Sequence, residues 1–108
     1  MARRVNRGEL WLYTFKKPDK RRPVLILSRD EVIDLLRTVT VAPVTSRIHG
    51  APSEVLVGPD EGLKHDSAVN LDHLQTVHKD QLRAYIGRMG DAKMREVCKR
   101  LGIALGCR

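Results

Sequence analysis

A chain of 108 residues with 42% apolar side chains is the size of a single domain, read here as residues 1–108, with a real but modest core. No stretch approaches the roughly 18 uninterrupted apolar residues of a membrane span, and the basic N-terminus has no apolar segment behind it, so a cytoplasmic protein is expected. Twenty Lys and Arg against 13 Asp and Glu give a net charge of +7, which points to a polyanionic partner, while two cysteines without a Cys-x-x-Cys exclude a disulfide framework and argue against zinc.

Glu9-Leu10-Trp11-Leu12-Tyr13-Thr14-Phe15 is dense in apolar and aromatic residues and predicts a first strand. Alternation sets Trp11, Tyr13 and Phe15 on one face, where core packing is expected for at least one ring. The loop that follows crowds Lys16, Lys17, Lys20, Arg21 and Arg22 into seven positions, opposed by Asp19. So many cations sharing one edge favour a polyanion-facing loop over a merely solubilising surface.

Arg22 to Ser28 predicts a second strand, and Val24-Leu25-Ile26-Leu27 predicts burial on both of its faces. Asp30 to Leu36 reads as a short helix. Thr38-Val39-Thr40-Val41-Ala42-Pro43-Val44 alternates and is rich in β-branched residues, a third strand. Pro43 lacks a donor for the ladder, which predicts a place near an edge or a bulge. His49-Gly50-Ala51-Pro52 is a turn, Glu54-Val55-Leu56-Val57 a fourth strand, and Glu61 to Asp66 a polar loop. Ser67-Ala68-Val69-Asn70-Leu71 and Gln75-Thr76-Val77 are short strands broken by Asp72-His73, and Tyr85 to Met89 is the last.

The period then changes. Met94, Val97, Cys98, Leu101, Ala104 and Leu105 fall on one stripe of a helix, with Gly90-Asp91 as its start and Gly106 as its stop. Short strands followed by one terminal helix predict a mainly β fold, a small curved antiparallel sheet or barrel with the helix packed on it.

Two of the apolar runs carry polar chemistry at one end. Arg21 and Arg22 lead into the second strand, and Thr45-Ser46 leaves the third. A guanidinium fork and hydroxyls held at strand ends suit the grip of a phosphate. With a net charge of +7, that phosphate is read as part of a nucleic acid.

The succession RGELWL, RRPVLILS, VAPVTS, SAVNLDHLQTV and a closing amphipathic helix, running from Arg7 to about Leu105, resembles the MazF/PemK family of bacterial toxins. The resemblance implies an SH3-like barrel, a homodimer and a metal-independent endoribonuclease, without cofactor, that cuts single-stranded RNA at short preferred sequences. It also implies an acidic, MazE-like antitoxin that blocks the RNA groove. The family's catalytic arginine falls on Arg22 and its catalytic threonine on Thr45. Some members have a glutamate in the loop before the arginine, where this chain offers only Asp19; the acid that other members place in the later strand motif falls on Asp72, although the arginine two positions before that acid is here Asn70. His73 is the next alternative as proton acceptor.

In such a fold Lys16, Lys17, Lys20, Arg21, Ser46, Arg47, Asn70 and Gln75 are expected to line the groove, cations on phosphates, Ser46 and Gln75 on base edges. Phe15 is the expected stacking platform. RNA is cut without metal when its own 2′-OH attacks the adjacent phosphorus, and Arg22 and Thr45 would stabilise the charge that develops there. The competing expectations are a non-catalytic nucleic-acid-binding barrel and a gyrase-poison type of protein toxin. Neither needs a cation paired with a hydroxyl.

Overall fold

The computed structural model describes residues 4–14 and 21–107; Phe15, Lys16, Lys17 and Lys20 lie outside the described residues. Among the described residues there are seven strands: β1 (Glu9–Thr14), β2 (Arg21–Ile26), β3 (Thr38–Thr45), β4 (Glu54–Val57), β5 (Ser67–Asn70), β6 (Gln75–His78) and β7 (Leu82–Arg88). Two α-helices accompany them, α1 (Asp30–Ile33) and α2 (Asp91–Leu105). No helix among the described residues is long and apolar enough to cross a membrane.

All pairings are antiparallel, in the order β4-β5-β3-β2-β1-β7, with β6 also on β3. The outer strands β4 and β7 do not pair with each other, so the sheet curves without closing into a hydrogen-bonded barrel. β3 organises the curvature. One of its edges pairs with β2 throughout its middle; the other pairs with β6 over Thr38–Val41 and with β5 at Val44 and Thr45.

Pro43 therefore sits neither on an edge strand nor at a bulge. It faces Val24 of β2, and on its other side lies the gap where β6 has ended and β5 has not begun. A residue without an N–H costs no ladder bond in that gap.

Period-two alternation divides the core into two layers. Leu10, Leu25, Leu27, Ala42, Val44, Val55 and Val69 pack on one face of the sheet, under α2. Trp11, Tyr13, Val24, Ile26, Val39 and Val41 pack on the other. The run Val24-Leu25-Ile26-Leu27 is thus buried on both faces, as its composition requires. Trp11 and Tyr13 are core residues: Trp11 meets Tyr85 edge to face at 6.0 Å and donates its Nε1–H to the buried Glu9 carboxylate at 2.9 Å. Such rings contribute about 1.5–3 kcal/mol each by burial.

α2 seats Val97, Met94, Leu101 and Ala104 on the first layer, but Cys98 and Leu105, which share its stripe in sequence, are exposed. Cys98 instead receives the Arg7 guanidinium at 3.3 Å, and it and Cys107 are free thiols. The helix stops at Gly106 (φ 73°), where the Cys107 N–H turns back onto the Gly102 carbonyl at 2.7 Å.

Candidate active site and nucleic-acid interface

At one end of the sheet β2 begins and β3 ends, and between them opens a groove of about 890 Å³. β2 supplies Arg21, Arg22 and Pro23; the end of β3 supplies Val44 and Thr45, followed by Ser46 and Arg47. Leu12 of β1 and Ile86 of β7 form its apolar floor. The β2–β3 ladder ends at Val24–Pro43, and beyond that end Arg22 of β2 and Thr45 of β3 both line the groove. The cation and the hydroxyl expected to act together thus share one lining.

The Thr45 hydroxyl oxygen accepts the Arg47 N–H at 3.1 Å. That bond occupies an acceptor position and leaves the hydroxyl proton free to donate. It also turns the chain after β3, so that Ser46 and Arg47 follow along the rim. The remainder of this loop is tied down by Glu54, whose buried carboxylate accepts the N–H groups of His49, Gly50 and Ala51 at 3.1, 2.8 and 3.3 Å.

The far wall comes from Gly62 to His65. This segment reaches the groove because two glycines let backbones touch. Gly62 has a φ of 98°, and a Cβ on Gly87 of β7 would lie 2.0 Å from the Glu61 carbonyl oxygen. Leu63 then plugs into the first core layer, Lys64 and His65 stay exposed on the groove, and the Ser67 hydroxyl holds the His65 carbonyl at 3.0 Å.

The described lining carries Arg21, Arg22, Arg47 and Lys64, one imidazole at His65, and no carboxylate. The ion pairs found among the described residues, Arg4–Asp34 and Arg100–Glu96, engage none of them. Also among the described residues, no three His, Cys, Asp or Glu side chains cluster closely enough to hold a metal ion. The arrangement is suited to binding a chain of phosphates and to stabilising charge on one of them.

Of the residues expected at the site, Arg21, Arg22, Thr45, Ser46 and Arg47 come together in the groove. Asn70, Asp72, His73 and Gln75 are not in its lining. Asp72 accepts the Ser53 hydroxyl and donates its N–H to the Asn70 side chain at 3.0 Å, an Asx turn between β5 and β6. The Asn70 amide in turn meets His73 Nδ1 at 2.7 Å. Lys64, His65 and Ser67 are the site residues that sequence reasoning missed. Their segment reads as an ordinary polar loop, and its signal lay in Gly62 and Gly87, which are far apart in sequence.

A family model for the PemK-like, MazF-like toxin of type II toxin–antitoxin systems matches residues 6–105. The chain belongs to this family. It is 41% identical over 102 residues, 94% of this chain and 93% of the relative, to a probable endoribonuclease MazF5 of Mycobacterium tuberculosis. The solved structure of the Mycobacterium tuberculosis toxin MazF-mt6 is similar at a TM-score of 0.86, with 33% identity, covering 93% of this chain and 98% of that one. An endoribonuclease solved in complex with its cognate antitoxin, from a mycobacterial species, is similar at a TM-score of 0.81, with 26% identity, covering 99% of this chain and 98% of that one.

Proposed function

We propose that this chain is the toxin of a toxin–antitoxin pair and acts as a metal-independent, sequence-specific endoribonuclease on single-stranded RNA. The observation that carries this reading is that Arg22 and Thr45 line one groove whose described lining is cationic and free of carboxylates. The scissile phosphate lies between them. The Arg22 guanidinium donates to its non-bridging oxygens, and the Thr45 hydroxyl adds a donor aimed by its bond from Arg47. The RNA 2′-oxygen attacks phosphorus, and the 5′-oxygen leaves opposite. The products are a 2′,3′-cyclic phosphate and a 5′-hydroxyl. Arg22 acts as a cationic hydrogen-bond donor and not as the acid of the reaction.

The partners follow from the same surface. Cations without an ion pair among the described residues suit an acidic antitoxin segment as well as RNA, so the inhibitor is a MazE-like chain that competes for the groove. The working unit is a homodimer, since two-fold association is the commonest solution for a small domain that leaves apolar side chains uncovered.

Incubating the purified protein with a long single-stranded RNA in EDTA tests the reading. Cleavage to cyclic-phosphate ends is expected, and a single 2′-deoxy substitution at the scissile nucleotide should abolish it while sparing binding. Retention of RNA without cleavage would leave a binding module. Inhibition of gyrase with RNA intact would leave a poison of that enzyme.

A further inference from the structure

Cleavage by 2′-OH attack needs a proton acceptor, and the described lining of the groove restricts what it can be. Arginines do not deprotonate, an ammonium gives up its proton only at a pH near 10, and hydroxyls are poor bases. Glutamate and aspartate are absent from the described lining. Within the described lining, the group that can take up a proton is the imidazole of His65, through a ring nitrogen lone pair. It stands on the wall built by Gly62 to His65, where its backbone is held by the Ser67 hydroxyl and by the Gly62–Gly87 approach.

We infer that His65 is the general base of the reaction, which rests on the endoribonuclease reading above. Neutral His65 takes the 2′-hydroxyl proton as the 2′-O–P bond forms and the P–O5′ bond breaks. The departing 5′-oxygen gains a proton from water, and the imidazolium returns its own proton to solvent. No co-reactant is needed. The charged groups that share the described lining with His65 are Arg21 and Arg22 from β2, Arg47 after β3 and its neighbour Lys64, while β1 and β7 contribute Leu12 and Ile86. Asp66, next in the chain, keeps a carboxylate oxygen close to Gly58.

Asp72 and His73 are not equivalent alternatives. The first is engaged by Ser53 and the second by Asn70, on a turn outside the groove lining.

The test is the pH dependence of single-turnover cleavage by the full chain, compared with the variant His65→Gln. Wild type should gain rate with unit slope as pH rises through the imidazole range and then level off. The variant should lose about 10²-fold or more at the plateau and lose that limb. Affinity for an RNA carrying a 2′-deoxy scissile nucleotide should be unchanged, and added imidazole should restore rate to His65→Ala. His65 is exposed, so both variants should melt as wild type does. A variant that keeps the wild-type limb overturns the inference, as does a loss that appears wholly in affinity, which would make the imidazole a phosphate ligand. In either case Arg22→Ala should still lower cutting about 10²–10³-fold, and the endoribonuclease reading survives. A wild type that cuts no RNA overturns both.

Discussion

In the proposed reaction Arg22 and Thr45 act on one phosphate by different means, and conservative substitutions separate them. Arg22 provides a planar fork of donors; lysine in its place keeps the charge and loses the fork. Arg22→Ala should lower single-turnover cleavage about 10²–10³-fold, the loss expected for a missing donor worth about 2.7–4 kcal/mol in the transition state, and Arg22→Lys should fall between. Thr45→Val keeps the shape and removes the donor, so it should lose as much as Thr45→Ala, while Thr45→Ser should keep most of the rate. Thermal melting should be unmoved in all five, since both residues stand at strand ends. Asp72→Asn is the contrasting case. An asparagine can still accept the Ser53 hydroxyl, so stability should stay within about 0.5 kcal/mol and the rate near wild type. A large rate loss with its pH profile altered would return the base to Asp72.

At the scale of elements, the groove depends on how closely the Gly62–His65 wall approaches β7. A Cβ at Gly87 would meet the Glu61 carbonyl, which is backbone and has no rotamer to yield. Gly87→Ala should therefore cost about 1–3 kcal/mol, the range of overpacked sites, read as a lower urea midpoint, and should depress cleavage at temperatures where the variant is still fully folded. Unaltered cleavage in a folded Gly87→Ala would mean that the wall does not matter to the site. The strands were legible in the sequence because alternation and β-branched runs are local signals, and so were the two halves of the Arg22–Thr45 pair, each fixed to a strand end. The wall was not legible, because a contact between Glu61 and Gly87 belongs to the tertiary fold. Pro43 misleads for a related reason: nothing local shows that β3 changes partners along one edge, leaving a gap for it. The stripe on α2 overreaches because helical period continues through Leu105, whereas the contacts of the helix with the first core layer stop at Ala104.

The whole molecule combines a strongly basic surface with apolar side chains that a single copy leaves in solvent. Leu35, Leu36, Leu56, Ile103 and Leu105 are 79, 51, 56, 53 and 59% exposed. A homodimer should cover part of this set, and light scattering at micromolar concentration should give twice the chain mass, unchanged by reductant because the described thiols are free. The charge has its own signature. If RNA runs through the groove, binding of an uncleavable 2′-deoxy-substituted strand should weaken steeply with salt, by a slope of about −0.7 in log affinity against log salt for each phosphate neutralised. Arg47 and Lys64 both line the groove, and no described carboxylate forms an ion pair with them. Replacing both with alanine should flatten the slope by about 1.4, two contacts' worth. The preferred cleavage sequence should persist, because phosphate contacts position a strand while base contacts choose it. The same double variant should bind an acidic antitoxin peptide more weakly, since that peptide competes for the same cations. A slope equal to wild type would remove Arg47 and Lys64 from the RNA path and leave the +7 net charge to act elsewhere on the surface.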